Sequence, residues 1–305
     1  MDPDSTQFLD AISAAGSVEE IELACQRLSL DRLAAAPPSG RDAFRAGLAV
    51  RLHAHLSGKF PHPGFRRWVD SYFGCSRETF RSPLQQPNYI YYPALPPVPW
   101  IPVQDHPGLP PLIPALPEVA EEISGFLADD RAFAPYVSAE AARDARWREL
   151  AANPAWSSLH LIKGGVRDEA MLSALPRTRA FLAAAPLAEF PPHAPECFIS
   201  RLMPGVRLPP HFGVSNIKLT VHVPIELPPA GCSITVAGVT RGWRQGEMLV
   251  FDDSFEHSAQ NLSRQSRTVL IFDAWHPGLG GEEREALAYS IRALDLMNGI
   301  LARIA

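Results

Sequence analysis

The spacing of apolar residues changes along the chain, from a helical period in the first part to a strand period in the second. Between residues 5 and 74, apolar side chains recur about every three or four positions, which is typical of helices that bury one face. Glycine- and proline-containing breaks near residues 16–17 and 37–40 separate these helices. We therefore predict a helical N-terminal extension over residues 1–82.

A proline-rich stretch follows at residues 83–117. Proline fixes φ and donates no backbone hydrogen bond, so this stretch cannot be a regular helix or a central strand. A disordered linker is one interpretation, but the tyrosine, tryptophan and leucine content is too apolar for a solvated tether. We predict an extended segment packed along the main domain, followed by helices at residues 117–127 and 138–150.

From about residue 156 onward, short apolar segments separated by glycine and proline turns replace the helical pattern. We predict five strands, at residues 197–202, 217–223, 233–236, 247–251 and 267–272. In the second strand, Lys218, Thr220 and His222 alternate with apolar residues, so one face is polar and the other apolar. Strands at this density, with a C-terminal helix at residues 282–300, predict an α+β chain built on a jelly-roll-type barrel.

Composition narrows the classes of function. The 305 residues are 46% hydrophobic and 20% charged, which is ordinary for a soluble globular protein. A net charge of −5 and the lack of a basic run argue against nucleic acid as a partner. No apolar run approaches the roughly 20 residues of a membrane span. Four scattered cysteines and an N-terminus unlike a secretory signal lead us to expect a cytoplasmic location.

Two histidines and an arginine carry the candidate chemistry. His211 and His257 lie far apart in sequence, and Arg267 follows ten residues after the second histidine. Two imidazoles on neighbouring strands of a barrel can occupy adjacent corners of an iron(II) coordination sphere, to which oxygenases normally add a carboxylate. That carboxylate often stands two residues after the first histidine, where this chain has Gly213. Either the third ligand comes from elsewhere, or water or an anion takes its place.

Arg267 is a candidate site for an acidic co-substrate. A buried guanidinium requires an anionic partner, and its planar fork suits a carboxylate. We expect it to bind the far carboxylate of a dicarboxylic keto acid whose other end chelates iron, with Ser200 donating a second hydrogen bond. The alternative is that Arg267 pairs with Asp273 or with a surface acid.

Two more candidates have two interpretations each. His222 is either a third metal ligand or a contact to the chelating end of the keto acid. Asp253 either holds a metal-bound water or, together with Asp252, caps the turn before His257.

At these residues the chain resembles the aspartyl/asparaginyl β-hydroxylase family of iron(II)- and 2-oxoglutarate-dependent oxygenases. The likeness covers about residues 197–279, and a weaker one extends back to Tyr92-Pro93-Ala94-Leu95. The matching text is Pro210-His211-x-Gly213-x-x-Asn216, His222, Cys232, Trp243, the run Phe251-Asp252-Asp253-Ser254-Phe255-Glu256-His257, and Asp273-x-Trp275-His276-Pro277.

The resemblance implies a double-stranded β-helix and an oxygenase domain over residues 83–305. It places iron on His211 and His257 alone, Arg267 and Ser200 at the distal carboxylate of 2-oxoglutarate, and His222 near its chelating end. In the animal enzymes an arginine commonly stands at the position of Thr220. The resemblance therefore implies that the metal-side carboxylate of the co-substrate is bound more weakly here or by another donor, for which Lys218 and Lys163 are the candidates.

The resemblance also implies an activity. We expect Fe(II) and 2-oxoglutarate as cofactors, dioxygen as co-substrate, and hydroxylation of an aspartate- or asparagine-like side chain with release of succinate and carbon dioxide. The substrate is left open between a free amino acid, a peptide and a carrier-bound intermediate, and a carrier protein or a second copy of the chain is a further candidate partner. Two alternatives stand beside this: a halogenase that binds halide beside Gly213, and a carboxylate-binding barrel without turnover.

Overall fold

A computed structural model describes residues 2–128 and 133–305. Their contacts divide them into two compact units. The helical unit contains the residues up to Thr79, Tyr92–Ala94 and Gly280–Ala305, and the barrel unit contains Phe80–Tyr91 and the described residues of Leu95–Leu279.

The helices of the described residues alternate with irregular segments and short 3-10 turns. In chain order they are α1 (Pro3–Ala14), α2 (Val18–Arg27), α3 (Leu30–Ala34), α4 (Pro38–Lys59), α5 (Pro63–Tyr72), α6 (Leu116–Leu127), α7 (Glu169–Ala174), α8 (Pro176–Ala184) and α9 (Gly281–Arg303). The 3-10 turns are Val103–Asp105, Pro110–Ala115 and Ala139–Arg143. No helix among the described residues combines the length and the apolar character needed to cross a bilayer.

In the helical unit, local sequence sets where helices begin and apolar stripes hold them together. The Asp2 side chain accepts from the Ser5 backbone N–H at 3.1 Å and caps α1. Phe8 of α1 stacks on Phe44 of α4 with ring centroids 5.8 Å apart. Helix α9 buries its apolar stripe here and contacts α2, α3 and α5. The C-terminal helix was expected within an oxygenase domain of residues 83–305, so its grouping with the N-terminal helices differs from that expectation.

The strands of the barrel unit form two antiparallel sheets. In chain order the strands are β1 (Ala134–Pro135), β2 (Trp156–Lys163), β3 (Val166–Arg167), β4 (Cys197–Leu202), β5 (Arg207–His211), β6 (Lys218–Glu226), β7 (Cys232–Val236), β8 (Val239–Arg241), β9 (Leu249–Phe251), β10 (His257–Asn261) and β11 (Arg267–Trp275). One sheet has the order β1-β2-β4-β11-β6-β9 with β3 beside β2, and the other has the order β5-β10-β7-β8.

The path of the chain between the sheets defines the fold. Strands β4, β6, β9 and β11 lie in the larger sheet, while β5, β7, β8 and β10 lie in the smaller one. The chain therefore crosses repeatedly from one sheet to the other, which is the topology of a double-stranded β-helix. Together with the helices this confirms the predicted α+β fold.

Strand β6 shows how the alternation of residues divides core from cavity. Its apolar residues Leu219, Val221 and Val223 belong to a hydrophobic cluster that includes Val119 and Ile123 of α6. Each such side chain contributes about 1.5–3 kcal/mol when it is fully buried. The opposite face, with Lys218, Thr220 and His222, lines the cavity inside the barrel, as the sequence pattern predicts.

The proline-rich segment is extended only in part, because Val103–Asp105 and Pro110–Ala115 form 3-10 turns. Trp100 forms an isolated antiparallel bridge with Phe251, and Gln85 forms another with Phe255. The Asp252 backbone N–H donates to the carbonyl oxygen of Pro99 at 3.0 Å. Packing against the barrel unit is therefore confirmed for the residues of this segment outside Tyr92–Ala94.

Helix was predicted correctly for residues 117–127 but wrongly for most of 138–150. Only Ala139–Arg143 forms a 3-10 turn, and turns follow it. The Asp144 carboxylate accepts from the Arg146 backbone N–H at 2.9 Å. Such a local bond competes with helical hydrogen bonding, which explains why the apolar spacing did not produce a helix.

Candidate active site

His211 and His257 face each other across two paired strands. His211 ends β5, His257 begins β10, and the two are direct partners in the ladder. Their ring centroids are 4.0 Å apart. Nδ1 of His211 donates to the Pro209 carbonyl oxygen at 2.8 Å, and Nδ1 of His257 donates to that of Phe255 at 2.9 Å. Because a carbonyl oxygen only accepts, each Nδ1 carries the proton and each Nε2 keeps a lone pair for a metal.

Burial keeps both rings in the form that binds metals. It lowers the pKa of His211 to about 3, and the neighbouring His257 contributes to the shift. Burial also lowers the pKa of His257, although Asp253 opposes the effect. Both imidazoles are therefore neutral near pH 7, as a metal ligand must be.

Asp253 occupies the space that a side chain at position 213 would need. A Cβ built on Gly213 would overlap the carboxylate of Asp253. The Gly213 backbone N–H donates to the Asp253 carbonyl oxygen at 2.6 Å, which holds the two together. Because Gly213 has no side chain, the Asp253 carboxylate from the loop before β10 fits beside it.

The Asp253 carboxylate is ionised, and only one of its two oxygens accepts a hydrogen bond from a described residue. Oδ2 of Asp253 accepts from Nζ of Lys218 at 2.9 Å, while its buried Oδ1 has no hydrogen-bond partner among the residues that the structure describes. Burial raises the pKa of Asp253, but Lys218 and His257 outweigh it, so the pKa lies below its usual value. A buried acceptor without a partner is costly and marks a place for a ligand or a water molecule.

The histidine pair has no third protein ligand in the described part of the chain. Within it, only His53, Asp70 and Cys75 form a group of three or more candidate ligands whose donor atoms all lie within 4.8 Å of one another. Those residues lie in the helical unit. Asp253 is therefore outside direct ligand distance of the histidine pair.

Arg267 is a buried cation without an anionic partner among the described residues. The residue is 2% exposed, and its Nε and Nη1 atoms make no hydrogen bond to residues 2–128 or 133–305. Its guanidinium lies 4.7 Å from the ring centroid of Trp243. Burial lowers the pKa of Arg267 to about 10, so the group stays charged at neutral pH. Pairing with Asp273 does not occur, because Asp273 instead accepts from Lys218 at 2.8 Å.

Trp243 also determines what His222 offers to a ligand. The indole Nε1–H donates to Nδ1 of His222 at 3.1 Å, and the two rings are nearly parallel. Indole nitrogen only donates, so Nδ1 of His222 is unprotonated and the proton lies on Nε2. Burial lowers the pKa of His222 well below its ordinary value, and Arg267 adds to the shift. Between its two interpretations, the geometry favours a neutral hydrogen-bond donor over a metal ligand.

One cavity of about 430 Å³ brings the predicted residues together. Its lining includes His211, His257, Asp253, Ser200, His222 and Arg267. Ser200 is 1% exposed and its Oγ accepts from Nε1 of Trp156 at 3.2 Å, which leaves its own proton to donate. Of the two replacement donors, Lys218 lines the cavity but is held by two carboxylates, and Lys163 is not part of the lining.

Sequence reasoning missed part of the cavity. Tyr136, Trp147, Trp156, Phe198 and Glu196 line it but were not singled out. The density of aromatic residues between residues 133 and 156 was the available signal.

A sequence model of the aspartyl/asparaginyl beta-hydroxylase family matches residues 115–277, which contain every one of these predicted site residues. The chain belongs to this family. It is 33% identical to human aspartyl/asparaginyl beta-hydroxylase over 132 residues, covering 43% of this chain and 17% of that protein. It is 29% identical to human aspartate beta-hydroxylase domain-containing protein 1 over 217 residues, covering 68% and 52%. The chain thus spans at most about half of these relatives.

Among solved structures, the barrel is similar to a Pseudomonas putida prolyl-4-hydroxylase. The alignment has 15% sequence identity and a TM-score of 0.34, and it covers 59% of this chain and 94% of the other. At that score the likeness supports no inference about function.

Proposed function

We propose that this member of the family is an Fe(II)- and 2-oxoglutarate-dependent hydroxylase. The observation that carries the proposal is Arg267, a buried guanidinium without an anionic partner among the described residues, in the same cavity as a neutral histidine pair. An uncompensated buried charge costs several kcal/mol, so its retention indicates a bound anion.

His211 and His257 would hold iron through their Nε2 atoms. The backbone carbonyls at Pro209 and Phe255 keep both rings oriented and in the required tautomer. Oδ1 of Asp253 is the acceptor available to a metal-bound water, in place of a third protein ligand.

Residues of the same cavity would bind both ends of 2-oxoglutarate. Arg267 and Ser200 would bind the distal carboxylate, and Nε2–H of His222 would donate to the chelating end. When bound, iron and 2-oxoglutarate supply the activation of dioxygen, with release of succinate and carbon dioxide. The protein's own part is to orient the co-substrate and to exclude water.

The expected substrate, an aspartate- or asparagine-like side chain, rests on the family resemblance alone. A peptide, a free amino acid and a carrier-bound intermediate remain the candidates, and a carrier protein or a second copy remains a candidate partner. Halide binding beside Gly213 is disfavoured, because the ionised Asp253 carboxylate occupies that space.

Succinate formation from 2-oxoglutarate tests the proposal. Purified full-length protein is expected to bind 2-oxoglutarate only weakly without iron and to form succinate when iron(II) and air are supplied. His257→Ala should abolish this turnover, whereas His55→Ala in the helical unit should retain it. Full turnover in the His257→Ala variant would refute the assignment, and metal-independent binding without oxygen consumption would favour the carboxylate-binding barrel.

A further inference from the structure

The cavity wall beside His211 is built from aromatic rings. Trp147 meets His211 edge to face, with ring centroids 5.1 Å apart. Trp147 lies 6.1 Å from Trp156, which stacks on Tyr136 at 4.1 Å. Tyr136 lies 5.1 Å from Phe198. These four residues form one aromatic wall that begins at a proposed iron ligand.

Part of the aromatic wall is open to a ligand. Tyr136 lines the cavity and is 40% exposed, and it packs against Trp156 and Phe198, which are almost fully buried. Leu208 and Ile234 add aliphatic surface to the same lining. Accessible apolar surface inside a concave cavity indicates binding of an apolar group.

The described residues that line the cavity leave no uncommitted lysine or arginine for a substrate carboxylate. Among the described lining residues, the lysine and arginine side chains are those of Lys218 and Arg267. Lys218 is 5% exposed and donates to both Asp253 and Asp273, at 2.9 and 2.8 Å. Arg267 is assigned to the distal carboxylate of 2-oxoglutarate. Glu196 contributes a third carboxylate to the lining.

A carboxylate on the substrate would therefore find no unpaired lysine or arginine among the described lining residues, and burying an unpaired charge is strongly unfavourable. We propose that the group hydroxylated here is an uncharged apolar side chain, aliphatic or aromatic, that carries no carboxylate. The inference rests on the proposed function for its iron and co-substrate. It favours such a group over the aspartate side chain that the family name suggests.

The reaction balances with the proposed co-substrates. A C–H bond of the apolar group is replaced by C–OH, and one atom of dioxygen enters the product. The other oxygen atom enters succinate as 2-oxoglutarate is oxidised and loses carbon dioxide. No further reductant is required.

Binding of a neutral apolar probe tests the inference without turnover. Full-length protein is loaded with zinc(II), which binds imidazole but has no redox chemistry, and with 2-oxoglutarate. N-phenyl-1-naphthylamine is expected to bind with increased emission. Of two peptides that differ only in a central leucine or aspartate, the leucyl peptide should displace it at about tenfold lower concentration, since burial of a leucine side chain is worth about 1.5–3 kcal/mol.

Variants at Tyr136 assign the binding to the aromatic wall. Tyr136→Ser should weaken probe binding about tenfold because apolar contact area is lost. The matched control is Tyr72→Ser in the helical unit, where the tyrosine is 39% exposed, and it should bind as the wild type does. Tyr136→Arg supplies a cation and should reverse the peptide preference. Thermal melting of each variant establishes that it is folded.

The result also separates this inference from the proposed function. Tighter competition by the aspartyl peptide, or unchanged probe binding in folded Tyr136→Ser, overturns the substrate class. Substrate-independent succinate formation is measured on the same protein with iron(II). If no succinate forms although the probe still binds, the iron and co-substrate assignment is wrong. If succinate forms but the probe does not bind, only the apolar substrate class is wrong.

Discussion

Replacing Arg267 by methionine should stabilise the protein without ligand and abolish 2-oxoglutarate binding. Burial lowers the pKa of this group from its ordinary value of 12.5 to about 10. At 1.36 kcal/mol per unit, the buried charge costs about 3 kcal/mol. Loss of the contact with Trp243 offsets about 1–2 kcal/mol of the gain. The net expectation is an increase of about 1–2 kcal/mol in the free energy of unfolding.

The effect on co-substrate has the opposite sign. A distal carboxylate left unpaired in the cavity of Arg267→Met loses about 3–5 kcal/mol of interaction, which weakens binding at least about a hundredfold. Thermal melting with and without 2-oxoglutarate, in the presence of zinc(II), measures both effects at once. The expected result is a higher melting temperature without ligand and no further increase on adding it.

Arg201→Met is the matched control. Arg201 is also a strand arginine over an aromatic ring, 4.0 Å from the centroid of Phe133, but it lies outside the cavity lining. This variant should keep the full stabilisation by 2-oxoglutarate. If Arg267→Met keeps it as well, or if that variant is several kcal/mol less stable than the wild type, the assignment of the unpaired cation to the co-substrate is wrong.

Two further predictions concern the metal side of the cavity. Gly213→Asp should lose iron binding because the new side chain overlaps the Asp253 carboxylate, and the double variant Gly213→Asp/Asp253→Gly should regain part of it in a metal titration. Because the folded pKa of His211 is about 3, below its ordinary value of 6.5, the unfolded chain binds the extra proton first as the pH falls. The stability of the metal-free protein is therefore complete above pH 6.5 and should fall by about 1–2 kcal/mol at pH 5 in denaturant titrations, and a pH-independent stability would contradict this.

The sequence predicted the larger sheet better than the smaller one. Strand β4 appears at its predicted bounds, β11 runs three residues further than predicted, and β6 begins one residue later and ends three residues later, because their residues alternate or run apolar over a sufficient length. Strand β5 contains two prolines, and β10 is polar along most of its length. Both exist because β10 pairs with β5 on one side and with β7 on the other, which a local pattern does not show.

The same limit applies within the candidate site. His211, His257 and Arg267 were predictable because their types and spacing match a family pattern. That the Asp253 carboxylate fills the space beside Gly213 is a contact across forty residues, and no local signal predicts it. The aromatic wall was hidden for a related reason, since only Trp147 lies in the segment predicted as a helix, and its ring meets those of Tyr136, Trp156 and Phe198 only through tertiary packing.

Some charged groups of the cavity are fully paired within the protein, and others are not. Lys218 is saturated by two carboxylates, which keeps Asp253 ionised. Two charged groups lack full pairing among the described residues. They are Oδ1 of Asp253 beside the histidine pair and the guanidinium of Arg267 next to Trp243. An anionic acceptor suits a metal-bound water and a cation suits a carboxylate, so the two open sites are complementary to different ligands. Because each is costly while empty, their presence in one cavity is better explained by binding than by stability.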